Sequence, residues 1–305
     1  RLINLPLIVY WMIVADFRVI KKVFKLLFDH RPITNIMVKI ALLPPNELLN
    51  GRCALVTGGT SGIGYAIAKA YVNAGAVVII TGRSKERINA AIRRLKIECS
   101  EATVFGCVLN NTQVSTFEKT FDDILSEVKV AGVNGIDILV NNAGVNYKGM
   151  PDATEEEYDK VLDTNLKGVF FLSQMLGKYF VANNIKGNIL NIASASCIRP
   201  ADSAYTVSKW GIRGLTLGLA KTLAKYGITV NGIAPGPTAT PMMIKDGQSN
   251  MWLERLPLGR YIMPEEIANM AVYLVSDMGR SIMGDMIYMT GGAGVLTYDD
   301  VKYSF

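Results

Sequence analysis

From residue 51 onward, short β-branched segments alternate with helical segments, and this alternation is what most restricts the fold. Several predicted strands are nearly all apolar, as strands covered on both faces must be. Strand–helix alternation favours a parallel sheet with right-handed crossovers and helices on both sides. The sequence therefore predicts a three-layer α/β domain with a doubly wound sheet. The predicted strands are 53–56, 77–80, 103–106, 136–140, 188–192, 229–233 and 285–289, and the predicted helices are 63–74, 85–98, 116–128, 155–183, 205–226 and 265–276.

Rare residues limit the chemistry of the chain. A single histidine, His30, excludes a histidine-based metal site or a Ser-His-Asp triad in the main domain. The four cysteines form no CxxC pair and lack zinc-ligand spacing, so neither a metal site nor a disulfide framework is predicted. Free thiols are typical of a reducing compartment, and a cytoplasmic location is expected.

The basic excess of the chain is concentrated at its amino end. The formal net charge is +6, and residues 1–50, with seven basic and three acidic side chains, carry +4 of it. A nucleic-acid binder usually carries its basic face on the folded domain. Nucleic acid is therefore not an expected partner.

Composition divides the chain into three parts. Residues 1–50 are predicted to form an N-terminal helical extension that ends in a linker, 51–296 the main domain and 297–305 a tail. The linker is placed at 42–50, where two consecutive prolines occur.

Residues 2–29 of the extension are apolar and then basic. Residues 2–15 are mostly apolar but shorter than the roughly 20 residues that a spanning helix needs. Residues 16–29 have the pattern of a basic amphipathic helix, which suits an anionic membrane surface. Three interpretations stay open: peripheral contact with a membrane, packing on the main domain or a second subunit, and a membrane span.

A glycine-rich turn, TGGTSGIG at 57–64, joins the first predicted strand to the first helix. Such a turn aims backbone N–H groups and the positive end of the helix dipole at a phosphate. Gly58 permits the tight turn, Gly62 lets phosphates approach the backbone, and Gly64 lets helix and strand pack closely. The position of the turn after the first strand predicts a dinucleotide site.

Tyr205 and Lys209 are four residues apart near the start of a predicted helix, so their side chains share one face. A free phenol has a pKa near 10, too high for efficient proton exchange at neutral pH. An ammonium about 5 Å away, at an effective dielectric of about 20, contributes roughly 3.3 kcal/mol and would lower the pKa of Tyr205. Tyr205 is therefore a candidate general acid or base, although YxxxK pairs alone are common on helix surfaces.

Ser194 follows the fifth predicted strand, eleven residues before Tyr205. Its hydroxyl is a candidate donor to an oxygen on which negative charge develops during a reaction. Ser196 lies close by and stays a rival for this role.

The TGxxxGxG spacing of the turn resembles that of the short-chain dehydrogenase/reductase family. The resemblance covers roughly residues 51–295 and implies a Rossmann fold. It also implies hydride transfer between a nicotinamide cofactor and a carbonyl/secondary alcohol pair. Further motifs that match in family order are Asn141-Asn142-Ala143-Gly144, Asn165, Ser194, Tyr205 with Lys209, Pro235-Gly236 with Thr240, and Gly291-Gly292.

The resemblance further implies roles for individual residues. Tyr205 would exchange the proton and Lys209 would also hold the nicotinamide ribose. Ser194 would bind the carbonyl oxygen, and Asn165 a water that passes protons to Lys209. The implied cofactor-binding residues are Gly58, Thr60, Ser61, Gly62, Ile63, Gly64, Arg83, Val108, Asn142, Ala143, Gly144, Tyr205, Lys209, Pro235, Gly236, Thr238 and Thr240.

Cofactor choice is expected to depend on the end of the second strand. An acid there would accept hydrogen bonds from a ribose 2′-OH and repel a 2′-phosphate. The chain has Arg83 instead, which favours NADP(H), with NAD as the alternative and a solvated side chain as the bland interpretation. Val108 stands where the family often has an acid for the adenine amino group, so adenine recognition would rest on backbone contacts. Thr290 replaces a frequent Asp, with a local effect expected.

Substrate specificity is expected in residues 146–150, 195–203 and the methionine-rich segment 237–263. Those methionines suit an adaptable apolar surface or simply fill core gaps. The body is similar to oxoacyl-thioester reductases and to polyol or sugar-acid dehydrogenases of the family, and a lipid or steroid carbonyl stays open. The alternative function is a non-catalytic scaffold subunit tethered through residues 1–50.

A homodimer or homotetramer is expected, because the family's usual interface involves the helices around Asn165 and after Tyr205. Gly211, Gly214 and Gly218 leave little bulk on the second of these helices. The same glycines could equally serve close packing of the helix on the sheet.

Overall fold

A computed structural model describes residues 46–100, 102–243, 250–294 and 296. Seven parallel strands form one sheet in the order β3-β2-β1-β4-β5-β6-β7. The predicted doubly wound sheet is therefore confirmed. The strands are β1 Cys53–Val56, β2 Val77–Gly82, β3 Val104–Val108, β4 Ile138–Asn141, β5 Asn188–Ile192, β6 Thr229–Pro235 and β7 Met286–Met289.

Helices connect consecutive strands of the sheet. Three of them begin with side-chain caps, in which the hydroxyls of Ser84, Thr154 and Ser203 each accept a backbone N–H from the first turn. Such caps satisfy donors that a helix leaves unpaired at its start. The helices are α1 Gly62–Asn73, α2 Lys85–Glu98, α3 Phe117–Val130, α4 Glu155–Leu162, α5 Gly168–Ala182, α6 Ala204–Leu223 and α7 Pro264–Val275.

The long helix predicted at 155–183 is divided in the structure. A π-helical segment, Asp163–Lys167, separates α4 from α5. A π segment inserts an extra residue into a helix and so changes the direction in which the side chains around it point. Asn165 lies within this segment and is buried.

Apolar clusters cover both faces of the sheet, as the strand pattern predicts. Val56 of β1 belongs to the cluster that contains Ile67 of α1 and Val272 of α7. The next residue toward the amino end, Leu55, belongs to the opposite cluster, with Phe121 of α3. Successive residues of one strand thus enter different layers, which gives the three-layer arrangement.

A buried polar ladder fastens α6 to the centre of the sheet. The Nδ2 atom of Asn141 in β4 donates to Oδ1 of Asn191 in β5 at 2.9 Å. Asn191 Nδ2 donates in turn to the hydroxyl of Thr216 in α6 at 2.9 Å, and this hydroxyl donates to the carbonyl of Ile212 at 2.8 Å. Buried polar groups that are paired in this way fix the register between elements.

The described part of the predicted linker belongs to the folded body. Leu49 is fully buried, and its backbone N–H donates to the carbonyl of Ala74 at 2.8 Å. Asn46 makes an equivalent bond to Asn73 at 2.9 Å. Placing all of 42–50 in a linker is therefore wrong for residues 46–50, because they pack on the end of α1.

Two predictions for the ends of the chain fall on residues that the structure does not describe. The expected amphipathic helix at 16–29 and the tail 297–305 lie outside the described residues. Among the helices that the structure describes, none is long and apolar enough to cross a membrane.

Candidate active site

The predicted site residues lie where parallel strands end, along one edge of the sheet. Strand order reverses between β1 and β4, which are neighbours although β2 and β3 intervene in sequence. Loops that leave the carboxyl ends of such strands diverge and form a cleft, the usual ligand site of an open α/β sheet.

Thr57, directly after β1, holds the two sides of this reversal together. Its fully buried hydroxyl accepts the backbone N–H groups of Asn142 at 2.9 Å and Ala143 at 3.1 Å. It also donates to the carbonyl of Val140 at 3.2 Å. Thr57 is not among the predicted site residues, and only its place at the head of the glycine turn marks it in the sequence.

At two glycines of the turn, the backbone lies so close to the loop after β4 that a side chain would not fit. Gly58 has φ +65°, and a Cβ there would lie 2.9 Å from Cα of Ala143. A Cβ on Gly64 would lie 2.4 Å from Asn142 Nδ2, which itself donates to the carbonyl of Thr57 at 2.9 Å. Gly64 therefore makes room for the turn and Asn142, whereas the sequence pattern predicts a role in packing between helix and strand.

The start of α1 fits a pyrophosphate group. Ser61, the residue before the helix, makes no side-chain cap, and the first turn holds no acidic residue. Unpaired N–H groups at a helix start attract anions, and the dipole adds to this attraction. Gly62 has φ +56°, and a Cβ there would lie 3.3 Å from the side chain of Thr240, so the loop after β6 faces this turn.

Arg83 and Val108 lie at the end of the cleft expected to take the adenosine. Arg83 follows β2, is exposed, and makes no hydrogen bond or ion pair with any residue that the structure describes. The Thr60 side chain lies beside Gly82, where a Cβ would meet it at 3.1 Å. Val108 ends β3 and is half exposed.

The loop after β6 supplies the opposite wall. Gly236 follows Pro235 and approaches Thr290 so closely that a Cβ on Gly236 would lie 2.5 Å from the Thr290 carbonyl oxygen. Buried Thr238 donates from its hydroxyl to the Gly236 carbonyl at 2.9 Å. The Thr240 backbone N–H donates to the carbonyl of Thr238 at 2.8 Å, which fixes the loop in a tight turn.

Tyr205 and Lys209 lie on one side of α6, as predicted. Lys209 Nζ is 5.5 Å from the centre of the Tyr205 ring and donates to the Ile192 carbonyl at the end of β5 at 2.9 Å. Lys209 is 5% exposed, whereas Tyr205 retains partial exposure. A buried ammonium thus stands beside a phenol at the carboxyl edge of the sheet.

Burial, and not the neighbouring charge, dominates the acidity of this pair. Desolvation raises the pKa of Tyr205, although a hydrogen bond with Ser194 lowers it. The expected lowering by Lys209 is therefore wrong for the protein's own side chains, because loss of water destabilises the phenolate more than its neighbours stabilise it. Desolvation also lowers the pKa of Lys209 to about 8.

Ser194 is the hydroxyl that meets Tyr205. It lies between β5 and a short 3-10 helix, Ala195–Ile198, and its Oγ accepts the backbone N–H of Ser196 at 3.1 Å. The hydroxyl proton of Ser194 is left for a further acceptor. Ser196 contributes its backbone to this bond, and among the described residues Ser194 is the serine whose side chain bonds to the phenol.

Asn165 binds the loop after β4 and so joins the site from the side. Its Oδ1 accepts the Val145 N–H at 2.8 Å, and its Nδ2 donates to the Val145 carbonyl at 2.9 Å. Nδ2 also donates to the hydroxyl of Ser208 at 3.3 Å. The amide is therefore used in positioning Val145, and a role in holding a proton-relay water stays a prediction.

Two of the expected specificity segments are tied to each other. The Met150 N–H donates to the carbonyl of Asp202 at 2.9 Å. A Cβ on Gly149 would lie 2.8 Å from the same carbonyl oxygen, so this position needs glycine. Met150 itself is largely exposed beside the cleft.

An open groove of about 520 Å³ is lined by Ile198, Arg199, Pro200, Ala201, Val207 and Trp210. Val207 and Trp210 point away from the helix face of Tyr205 and Lys209, as the helical period requires. The groove therefore lies on the side of α6 opposite Tyr205 and Lys209.

In the segment 237–263, Met242 and Met243 are exposed, as is Trp252. The segment is anchored by Arg260, whose guanidinium makes two bonds of 2.9 Å to the carboxylate of Glu266 in α7. Residues 244–249 lie outside the described part of the chain.

The described residues contain no group of three or more histidine, cysteine or acidic side chains placed to hold a metal ion. The four cysteines are free thiols.

A parallel sheet with a glycine turn at its reversal point is typical of dinucleotide-binding proteins. Comparison with known proteins assigns the family. Residues 58–294 match the family described as enoyl-(acyl carrier protein) reductase. The chain belongs to the short-chain dehydrogenase/reductase family and has its NAD(P)-binding Rossmann fold.

The curated relatives are enzymes that are named for different substrates. The 3-oxoacyl-[acyl-carrier-protein] reductase FabG of Thermotoga maritima is 35% identical over 249 residues, covering 80% of this chain and 98% of that protein. The 3alpha-hydroxysteroid dehydrogenase of Mediterraneibacter gnavus is 33% identical, covering 81% and 98%. Gluconate 5-dehydrogenase of Gluconobacter oxydans is 31% identical, covering 81% and 96%.

Solved structures show the same fold. A variant actinorhodin polyketide ketoreductase, crystallised with NADPH, is similar at 30% identity and a TM-score of 0.72, covering 80% of this chain and 97% of that one. A gluconate dehydrogenase described from Agrobacterium tumefaciens gives the same TM-score at 30% identity, covering 82% and 99%.

The buried charge of Lys209 makes stability depend on pH in a defined direction. The folded protein releases this proton at a pKa of about 8, below the value of about 10.4 for an unfolded lysine. The folding penalty of the charge is therefore present below pH 8 and is lost as the pH rises toward 10.4. Relative to Lys209→Met, the free energy of unfolding of the wild type should rise by up to about 3 kcal/mol across this window.

Urea unfolding of both proteins between pH 7 and 10.5 measures this difference. Lys225→Met, at an exposed lysine near the end of α6, is the control and should show no such trend. A constant difference between the wild type and Lys209→Met would show that Lys209 titrates normally.

Proposed function

We propose that the protein is an NADP(H)-dependent oxidoreductase that interconverts a carbonyl and a secondary alcohol through Ser194, Tyr205, Lys209 and Asn165. The observation that carries the proposal is the pairing of the Tyr205 phenol with buried Lys209 and with Ser194 at the carboxyl edge of the sheet. This edge also carries the glycine turn. Both components of a hydride-transfer site therefore face one cleft.

The side chains divide the work of carbonyl reduction. A reduced nicotinamide held between the glycine turn and Lys209 would supply the hydride for the carbonyl carbon. Tyr205 gives its phenolic proton to the carbonyl oxygen, and its raised pKa keeps that proton in place at neutral pH. Ser194 donates a hydrogen bond to the same oxygen, which stabilises the charge that develops there. Lys209 stabilises the phenolate that remains until solvent returns the proton.

A non-catalytic scaffold with the same fold is the alternative, and Tyr205→Phe separates the two functions. Removing the hydroxyl removes the proton donor and leaves the cleft intact, so turnover should fall by a factor of about 100 to 10,000. NADPH fluorescence titration should show unchanged cofactor affinity. The assay follows nicotinamide absorbance with 3-oxoacyl thioesters, steroid ketones and oxidised sugar acids.

Exposed Tyr226, at the far end of α6, provides the control Tyr226→Phe, which should turn over normally. NADPH binding without turnover of any panel compound by the wild type would favour the scaffold.

Arg83 supports NADP(H) as the cofactor. Its exposed side chain has no hydrogen-bond or ion-pair partner among the described residues and follows Gly82, where β2 ends. A charge-assisted bond to a 2′-phosphate contributes about 1.5–3 kcal/mol. Both a 3-oxoacyl reductase and a ketoreductase with NADPH are among the similar proteins, in agreement with this choice.

Arg83→Ala should lower the preference for NADPH over NADH by about tenfold to a hundredfold, because about 1.4 kcal/mol corresponds to a factor of ten. The loss should appear in NADPH affinity and leave NADH affinity unchanged. Arg93→Ala, at an exposed arginine of the same α2 region, is the matched control. An unchanged ratio of the two affinities in Arg83→Ala would show that Arg83 is solvated and does not contact the cofactor.

The proposal also includes a homodimer or homotetramer that uses the outer faces of α5 and α6. Gly211 packs within the chain, since a Cβ there would lie 2.7 Å from the Leu166 side chain. Gly214 and Gly218 face open space instead. Leu217 of the same helix is 55% exposed.

Exposed apolar side chains extend this face in both directions. Phe170 and Phe171 of α5 form an exposed edge-to-face pair with ring centres 5.3 Å apart. Val207 and Trp210 continue the α6 face into the groove behind the catalytic segment. Exposed apolar side chains around glycines suit contact with a second helix of the same chain, and a second copy is the occupant that we propose.

Leu217→Arg should convert the assembly to monomers. If a second copy covered this face, the arginine charge would be buried without a partner. Light scattering at micromolar concentration measures the mass. Lys221→Arg, one turn further on α6, preserves the charge at an exposed position and should leave the mass unchanged. A wild-type protein that is monomeric under the same conditions would remove the assembly from the proposal.

A further inference from the structure

The catalytic turn of α6 contains a third polar side chain, Ser208, between Tyr205 and Lys209. It is fully buried. Its hydroxyl donates to the carbonyl of Tyr205 at 2.7 Å and accepts a hydrogen bond from Asn165 Nδ2 at 3.3 Å. A hydroxyl that donates in one direction and accepts in the other is fixed in orientation, since its single proton is already assigned.

Through Ser208, three separate elements are linked into one chain of contacts. Asn165 lies in the π-helical segment and holds both backbone groups of Val145, in the loop that follows Asn142–Gly144. Ser208 extends this contact to the backbone of Tyr205 itself. The loop expected beside the nicotinamide and the residue expected to exchange the proton are therefore joined by a chain of hydrogen bonds.

We propose that Ser208 is a positioning residue for Tyr205, which holds the phenol in register with the loop after β4 through Asn165. This inference rests on the proposed function. A misplacement of reacting groups by a fraction of an ångström lowers rates strongly although the groups themselves are unchanged. Ser208 does not contact the substrate in this proposal, and its effect is transmitted through the Tyr205 backbone.

The same helix offers a matched control. Thr216 is equally buried, its hydroxyl donates to the Ile212 carbonyl at 2.8 Å, and it accepts from Asn191 Nδ2 at 2.9 Å. It thus makes the same two kinds of bond as Ser208, three turns away from Tyr205. Loss of either hydroxyl removes comparable bonds, but only one of them leads to the phenol.

Ser208→Ala should lower kcat by about tenfold, with little change in the KM for NADPH. The pH profile of alcohol oxidation should move to higher pH, because the phenol is held less well against Lys209. Ser208→Cys, which keeps a weaker donor in the same space, should fall between the wild type and Ser208→Ala. Thr216→Val should lose thermal stability to a similar extent and keep both the wild-type kcat and the wild-type pH profile.

Hydrogen exchange gives a readout that does not depend on turnover. Amide exchange in the first turns of α6 should accelerate in Ser208→Ala and stay unchanged there in Thr216→Val. If wild-type exchange rates persist in Ser208→Ala, or if its kcat and pH profile equal those of Thr216→Val, the positioning role is refuted. A wild type without turnover contradicts the proposed function alone, and the exchange measurement still decides the role of Ser208.

Discussion

Burial of the Lys209 ammonium is the constraint on which the site depends. Taking a charged amine out of water costs several kcal/mol even after relaxation, and here the Ile192 carbonyl at the end of β5 provides a described acceptor at 2.9 Å. That acceptor is available only where a strand ends, and only if α6 lies close against the edge of the sheet. The Asn165–Ser208 contact holds the first turns of α6 there. Polar pairing in the interior thus makes an otherwise unfavourable charge tolerable.

The two sides of the cleft are built by different means. The turn side relies on backbone geometry: Gly58 takes a positive φ, Gly64 leaves room for Asn142, and the Thr57 hydroxyl holds the crossing. The side that carries Tyr205 and Lys209 relies on side chains that meet from separate elements. A backbone turn is specified by a short local sequence, whereas side chains from distant elements meet only after the sheet has formed. The glycine turn can therefore be predicted from the sequence, whereas the side-chain contacts around Tyr205 and Lys209 are much harder to predict.

Local backbone features of the structure could be predicted from the sequence, and contacts between distant elements could not. The strands and the glycine turn were predictable because apolar runs and glycine spacing are local signals. The π-helical segment around Asn165 was not, since 155–183 has an uninterrupted helical pattern. The three glycines of α6 look alike in sequence, yet Gly211 packs on Leu166 while Gly214 and Gly218 face open space. The pKa of Tyr205 is raised by desolvation, and the spacing of charged residues in a sequence does not show how deeply a side chain is buried.

That direction has a consequence for the chemistry proposed. A phenol whose pKa is raised by burial is protonated at neutral pH, which is the form that reduction of a carbonyl consumes. Oxidation of an alcohol needs the phenolate, and the Lys209 charge alone does not overcome the desolvation. Additional positive charge in the cleft would stabilise the phenolate, and an oxidised nicotinamide carries such a charge. The apparent acidity of Tyr205 should therefore differ between the two directions, because each direction begins with a different charge on the bound ring.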